Sequence, residues 1–295
     1  MRPLGEGLAL SAFRQEFCCF FWQTTEMSEN NKRVYAKLGR GRKGECNICT
    51  KKGPLTWDHV PPRGGITLGP MEIRSVFQAL TGHPEDSGTI PSWDGISFRT
   101  ICSKCNYLLG ERYDPHINEF ATSVGRYLHS SIALPKVVMH PTRPAALMRG
   151  VLGHLIAAKA EKDEVRFDKE AAACVLDLAS PIPNDIHIYY WLFPYDHLVV
   201  LRDFAIFKIG LPPENYVFCQ LLKFFPIAFV VTNGPWDCGL EDLTQHRNVG
   251  LGQDVRIPIH LGDVRPSNWP EAPDDETIIL GGQSTRNSPT ASRLS

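Results

Sequence analysis

Two cysteine pairs, Cys46-Asn47-Ile48-Cys49 and Cys102-Ser103-Lys104-Cys105, bracket one stretch of this sequence. Each CxxC places two sulfurs on one tight turn, and two such turns can supply four thiolates to one tetrahedral ion. This is the usual ligand set of structural zinc, and its closed shell leaves no position for a substrate. We therefore predict Zn²⁺ bound by Cys46, Cys49, Cys102 and Cys105, with a role in folding and not in catalysis.

A second polar motif lies between the pairs, in the segment Thr56-Trp57-Asp58-His59-Val60-Pro61-Pro62, and Asn106 directly follows the last cysteine. A zinc site that only supports the fold does not require an Asp-His pair and an Asn at these places. The residues alone leave two interpretations open. One is a functional site beside the zinc, and the other is a hydrogen-bonded Asp-His couple with Asn106 as a helix cap.

Length and composition restrict the class of protein to which this chain can belong. A chain of 295 residues with 43% hydrophobic content can form one large or two ordinary domains. The formal net charge of -1 excludes a basic field over the whole molecule, so any nucleic-acid surface must be local. The cysteines outside the two pairs show no paired spacing except the adjacent Cys18-Cys19, which favours a reducing cytosol over a disulfide framework. No stretch reaches the roughly 18 apolar residues of a membrane span, so we expect a soluble cytoplasmic protein without a membrane partner.

Basic residues are concentrated just before and within the first cysteine pair. Residues 32–52 carry eight Lys or Arg against one acid, Glu45, and Gly39, Gly41 and Gly44 disfavour a helix there. A flexible basic arm that leads into a zinc site suits contacts with nucleic-acid phosphates. The alternative is a solvated linker.

The pattern of apolar residues predicts an α+β protein in several parts. Residues 1–27 form an N-terminal extension, with either a second translation start at Met27 or an ordinary helix over 11–24. Residues 28–116 form a zinc-clamped module, 117–265 an α+β domain of unknown type, and 266–295 a mostly disordered tail. We predict helices at 71–80, 106–112, 117–128, 145–161 and 169–178. We predict strands at 96–101, 186–193, 197–202, 204–209, 227–232 and 255–259, and a surface loop at 82–95.

The combined motifs resemble a known family. The order CxxC, Asp58-His59, a proline-containing loop, and CxxC followed by Asn106 resembles the HNH endonuclease superfamily. The resemblance is to the branch in which a ββα-metal core, also called the His-Me finger, is clamped by a four-cysteine zinc. Asp58-His59-Val60-Pro61-Pro62 and Cys105-Asn106-Tyr107-Leu108-Leu109-Gly110 carry the match, which covers residues 44–114.

This resemblance implies catalytic roles. His59 is expected to be the general base that takes a proton from the water attacking a phosphodiester, a task that suits an imidazole. Asp58 and Asn106 are expected to bind the catalytic Mg²⁺ or Mn²⁺ through hard oxygen atoms. The implied function is a divalent-metal-dependent endonuclease that hydrolyses nucleic acid, DNA in preference to RNA.

Two other functions stay open at this stage. One is a catalytically silent zinc-stabilised module that binds nucleic acid or protein. The other is a family-level analogy: a nuclease effector in bacterial defence, with residues 117–265 sensing a signal or a protein partner.

The chain also departs from the family pattern. Relatives usually carry a middle Asn shortly before the second CxxC, and here Ser97 stands at that place, with no Asn from Val60 to Cys105. The 42 residues between His59 and Cys102 also exceed the minimal core of the family. Asp94, Ser97 and His83 are the candidates to replace the missing group.

Overall fold

The computed structural model describes residues 36–65, 68–81, 89–93, 95–161, 166–208, 216–272 and 277–293. Helices and strands are mixed along this described chain, which confirms the predicted α+β class. The N-terminal extension 1–27 and its predicted helix lie outside the described residues. Within the described ranges, no helix is long and apolar enough to cross a membrane.

The described chain contains fifteen strands and six α-helices, with a 3-10 turn at Leu243–His246. The strands are β1 (Ala36–Gly39), β2 (Lys43–Glu45), β3 (Lys52–Val60), β4 (Pro70–Ser75), β5 (Ile90–Trp93), β6 (Ile96–Cys102), β7 (Val137–Thr142), β8 (Ile186–Leu192), β9 (His197–Lys208), β10 (Val217–Phe224), β11 (Ile227–Asn233), β12 (Glu241–Asp242), β13 (Val255–His260), β14 (Thr277–Gly281) and β15 (Pro289–Arg293). The helices are α1 (Val76–Thr81), α2 (Ser103–Arg112), α3 (Asp114–Leu128), α4 (Pro144–Ala157), α5 (Arg166–Leu176) and α6 (Gln283–Asn287).

A small four-stranded sheet carries both cysteine pairs and the Asp-His motif. Its strand order is β1-β6-β3-β2, in which β3 and β6 are antiparallel and β6 leads directly into α2. The pairing register shifts between Thr56 and Trp57. Such a bulge moves later side chains to the opposite face. Leu55, Asp58 and Val60 are therefore the buried residues of β3, and His59 lies on the other face.

A larger sheet has the order β12-β8-β11-β10-β9-β15-β4-β5, with β14 pairing to β9. Its central strands are apolar on both faces. In β8, Tyr190 and Leu192 face a core that includes α4, whereas Tyr189 and Trp191 face a second cluster. Because both faces are covered, these strands lack the polar alternation of a half-exposed sheet. β7 and β13 form a separate antiparallel pair.

The prediction of a mostly disordered tail is wrong for residues 277–293. β15 lies between β9 and β4 and pairs with both, and Ala291 is buried. Ser288 and Thr285 add side-chain hydrogen bonds to the backbone of Arg202. The polar composition of the tail was misleading because backbone pairing on two sides, and not apolar side chains alone, holds this segment.

The predicted boundary at residue 116 does not separate two cores. β4 comes from the first segment, β9 from the second and β15 from the tail, yet the three strands are neighbours in one sheet. One core cluster extends in sequence from Leu38 to Ala291. The long insertion after His59 therefore supplies two strands to the larger sheet.

Several predicted elements change in detail. The helix expected at 71–80 is instead β4 followed by α1, because Met71 and Ile73 are buried at the two-residue spacing of a strand. The strands expected at 197–202 and 204–209 are the single strand β9. Helices α2 to α5 confirm the predicted helices, and β6, β8, β11 and β13 confirm the corresponding strands.

Candidate functional site

The four predicted zinc ligands converge. Their Sγ atoms all lie within 4.8 Å of one another, and no other group of His, Cys, Asp or Glu in the described ranges does the same. The Sγ atoms of Cys49 and Cys102 are 3.7 Å apart, and the backbone N–H of Cys102 donates to Cys46 Sγ at 3.3 Å. A hydrogen bond from Cys105, assisted by backbone N–H groups, lowers the pKa of Cys46 to about 4. These thiols can bind a metal ion such as zinc.

The first cysteine turn is attached to the end of helix α4. The side-chain amide of Asn47 donates to the carbonyls of Ile156 at 2.9 Å and Lys159 at 2.7 Å. The guanidinium of Arg40 in turn donates to Asn47 Oδ1 and, at 3.2 Å, to the carbonyl of Thr100. The two bonds from Asn47 attach the first cysteine turn to carbonyls at and just after the C-terminal end of α4. Arg40 therefore supports the zinc turn and is not part of a flexible arm.

The predicted flexible basic arm is wrong for its described part. Residues 36–39 and 43–45 are strands of the small sheet, because their backbone groups pair with β6 and β3. Lys32 and Arg33 lie outside the described residues. The side chains of Arg42, Lys43, Lys51 and Lys52 are exposed, so the local basic surface remains.

Asp58 and His59 lie on opposite faces of β3, directly after the bulge. Asp58 is only 4% exposed, whereas His59 is half-buried and pairs across the ladder with Ser97. Burial, followed by the positive charges of Arg63 and His154, lowers the pKa of His59 to about 4. The imidazole is therefore neutral at pH 7 and can accept a proton.

Asn106 lies in the first turn of α2 and contacts the bulge. Its Nδ2 donates to the carbonyl of Trp57 at 2.8 Å and to Thr56 Oγ1 at 3.2 Å. The N-cap of α2 is Cys102, so Asn106 is not the helix cap considered from the sequence. Its Oδ1 makes no hydrogen bond within the part of the chain that the structure describes.

The sequence did not reveal the main contact of Asp58. His154, on α4, is fully buried and lies between two carboxylates. Its Nδ1 is 3.2 Å from Asp58 Oδ2, and its Nε2 is 2.8 Å from Asp114 Oδ1. Burial alone lowers the pKa of His154, but Asp114 and Asp58 outweigh burial and raise it to about 10. Both ring nitrogens therefore donate, and the side chain is an imidazolium.

Two glycines allow α4 to reach this position. A Cβ on Gly153 would lie 2.4 Å from Leu109 Cδ2 of α2, and one on Gly150 would lie 2.7 Å from Ile117 Cδ1 of α3. The close approach of the three helices brings His154 to Asp58 and Asp114. A lone histidine in the otherwise apolar stretch Leu152–Ile156 is the one sequence signal that could have pointed to this contact.

The three predicted catalytic residues lie at or next to the same segment of β3, residues 57–59. Asp58 and His59 are adjacent, and Asn106 bonds to the carbonyl of the preceding residue, Trp57. Ser97, a candidate for the role of the missing Asn, faces His59 across the ladder, whereas His83 and Asp94 lie outside the described residues. A separate cavity of about 440 Å³ borders the first cysteine turn, and none of the three catalytic candidates lines it.

Comparison with known proteins adds no family to this description. No family model, no curated protein and no solved structure matches the chain. The resemblance to HNH endonucleases therefore rests on the sequence motifs of residues 44–114.

Proposed function

We propose that this protein is a divalent-metal-dependent endonuclease of the HNH type, with β3, β6 and α2 as its ββα-metal core. One observation supports this function above the others. Asn106 fixes the backbone next to Asp58, while Oδ1 of Asp58 and Oδ1 of Asn106 have no hydrogen-bond partner among the described residues. Carboxylate and amide oxygens are the ligands that Mg²⁺ and Mn²⁺ favour.

In this proposal the three catalytic candidates have the roles that the resemblance implies. Asp58 and Asn106 would hold the Mg²⁺ or Mn²⁺, which when bound polarises the phosphate and stabilises the leaving oxygen. His59, neutral at pH 7, accepts the proton of the attacking water. Ser97 lies opposite His59 in place of the middle Asn of the family. Zinc at the four cysteines holds β3 and α2 together and takes no part in the reaction.

Exposed cations near this core support a nucleic-acid substrate. Arg42 and Lys43 lie at the start of β2, Lys51 and Lys52 lie where β3 begins, and Lys104 lies on α2, two residues before Asn106. Lys and Arg contacts to phosphates supply affinity without sequence information. Since the formal net charge is -1, this local surface is what a polyanion would contact.

Plasmid nicking by a His59→Ala variant tests the proposal. We expect the wild type to nick supercoiled DNA with Mg²⁺ or Mn²⁺, and His59→Ala to lose about 10²-fold or more of that rate, as for a lost general base. Zinc content and thermal unfolding should stay unchanged, because His59 is not one of the four clustered cysteine ligands. His129→Ala, an exposed histidine at the far end of α3, is the matched control and should cleave normally. Equal nicking by the wild type and His59→Ala would refute the role of His59.

A specific observation also favours a second function, a catalytically silent zinc-stabilised module that binds nucleic acid. Asp58 is buried, and one of its oxygens is already bonded to His154. The exposed cations could bind phosphates without any chemistry at Asp58. DNA binding that survives Asp58→Ala, with no cleavage under Mg²⁺, Mn²⁺, Co²⁺ or Ca²⁺, would favour this second function.

A further inference from the structure

We propose that His154 is a positioning residue that holds the carboxylate of Asp58 in the orientation required to bind the divalent ion. This inference rests on the proposed function, because it takes Asp58 as a ligand of that ion. It also gives the C-terminal part of the chain a role, since helix α4 supports a site whose proposed ligands and general base lie before residue 107.

The geometry around Asp58 supports this role. Nδ1 of His154 bonds to Oδ2 of Asp58, so the carboxylate cannot rotate freely and Oδ1 is the oxygen left for an ion. Hydrogen bonds of this kind to the ligands of a metal orient them, and their loss typically weakens metal binding by about 10–100-fold.

Asp114 completes the arrangement from the other side. It accepts a hydrogen bond from Nε2 of His154 at 2.8 Å and thereby fixes the ring in the plane that reaches Asp58. The two carboxylates therefore hold the ring from both sides, with Nδ1 directed at Asp58.

Stability alone does not explain such a group. Replacing a buried ion pair with apolar residues of similar size is often neutral or stabilising, because the desolvation of the charges offsets their attraction. Here the ring of His154 is fully buried in a helix whose other residues, apart from Arg149, are apolar. An apolar residue would suit that helix, whereas only a hydrogen-bond donor can hold Asp58.

Two variants of His154 separate positioning from a general structural role. In His154→Asn the side-chain amide takes the place of Nδ1 and can still donate to Asp58, and in His154→Gln it takes the place of Nε2 and reaches only Asp114. Both variants replace the imidazole ring with a neutral side-chain amide. The measurement is Mn²⁺ affinity of the full-length, zinc-loaded protein by electron paramagnetic resonance, together with zinc content and thermal unfolding.

We expect His154→Gln to bind Mn²⁺ about 10–100-fold more weakly than the wild type and His154→Asn to stay close to it. Equal losses in the two variants, no loss in either, or absence of Mn²⁺ binding by the wild type would overturn the inference. Plasmid nicking is measured in parallel. A wild type whose Mn²⁺ affinity depends on Asp58 and on the donor at position 154, but which does not cleave DNA, would reject the nuclease and leave the positioning role standing.

A second pair of variants applies if the His154 variants do not fold. Asp114 is partly exposed, with 19% of its side chain accessible, so its substitution disturbs the core less. Asp114→Asn keeps an acceptor for Nε2 of His154, and Asp114→Ala removes it. Positioning requires that Asp114→Ala binds Mn²⁺ more weakly than Asp114→Asn, and equal affinities would contradict it.

Discussion

The two polar atoms of the Asn106 amide have different roles: the nitrogen supports the fold, and the oxygen belongs to the proposed metal site. Its nitrogen donates to the carbonyl of Trp57 and to Thr56 Oγ1, on the two sides of the bulge in β3. Its oxygen has no hydrogen-bond partner in the described ranges. A single side chain thus fixes the position of Asp58 and offers an oxygen beside it, which explains why an amide suits this place better than a carboxylate.

The variant Asn106→Asp tests whether the hydrogen bond from Asn106 Nδ2 to the carbonyl of Trp57 stabilises the bulge. The substitution keeps an oxygen but removes the donor to Trp57 and places a carboxylate against its carbonyl. We expect the free energy of unfolding to fall by about 1–3 kcal/mol, as for a polar contact left unsatisfied. Urea unfolding measures this change. Tyr107→Ala is the control: its side chain is 70% exposed, and its loss should cost no more than about 0.5 kcal/mol. If the two variants unfold alike, the bond to Trp57 does not hold the bulge.

At the residue scale the sequence is informative where ligand geometry restricts spacing. Two CxxC pairs predict a four-thiolate cluster because each pair presents both sulfurs on one turn, and the cluster is present. The contact between His154 and Asp58 spans 96 positions and has no local pattern, so it appears only once the helices are packed. The contact between His154 and Asp114, 40 positions apart, is hidden from the sequence for the same reason.

Strand β3 shows why an element can escape prediction from sequence. Its buried residues are Leu55, Asp58 and Val60, a spacing that neither a regular strand nor a helix produces. The bulge after Thr56 causes this spacing, and bulges often lie beside functional sites because they redirect one side chain. The irregularity that hid β3 is therefore the feature that buries Asp58 and leaves His59 accessible.

The packing of α4 against α2 at Gly153 can be tested by substitution. In Gly153→Ala the new Cβ would lie 2.4 Å from Leu109 Cδ2, so the buried Leu109 side chain must be displaced or α4 must move away from α2. We expect a loss of about 1–3 kcal/mol in the free energy of unfolding, as for an overpacked core. Chemical denaturation of the purified protein measures it.

Gly110→Ala is the matched control for this change. Gly110 lies in α2 with no atom within 4 Å of an added Cβ, so Ala should raise stability by up to about 1 kcal/mol through helix propensity. Opposite signs for the two substitutions would show that packing between α2 and α4, and not helix propensity, determines the loss. A stabilising Gly153→Ala would contradict the close contact.

In the whole molecule, buried charges join α4 and α5 to the larger sheet. Arg202 of β9 is fully buried and bonds to Asp168 of α5 at 2.6 Å and to the carbonyl of Leu155 in α4. Lys159, directly after α4, pairs with Asp168 and with Asp203, each at 2.9 Å. This network holds the helix that carries His154 against a strand nearly 50 residues later in the chain. The proposed site therefore depends on the packing of the complete fold.

The described part of the tail belongs to the same unit, and Ala291 tests this directly. Ala291 is 1% exposed and pairs with Ile73 of β4 and Leu198 of β9. Ala291→Asp would bury a charge without a partner between these strands, and we expect a loss of about 3 kcal/mol or more in the free energy of unfolding. Arg293→Ala is the control, because Arg293 and its partner Asp196 are both more than half exposed and such pairs contribute little. Both variants are compared by urea unfolding, with tryptophan fluorescence as the signal. An unchanged midpoint for Ala291→Asp would mean that β15 is not part of the sheet in solution, and that the segments before and after residue 116 are joined without it.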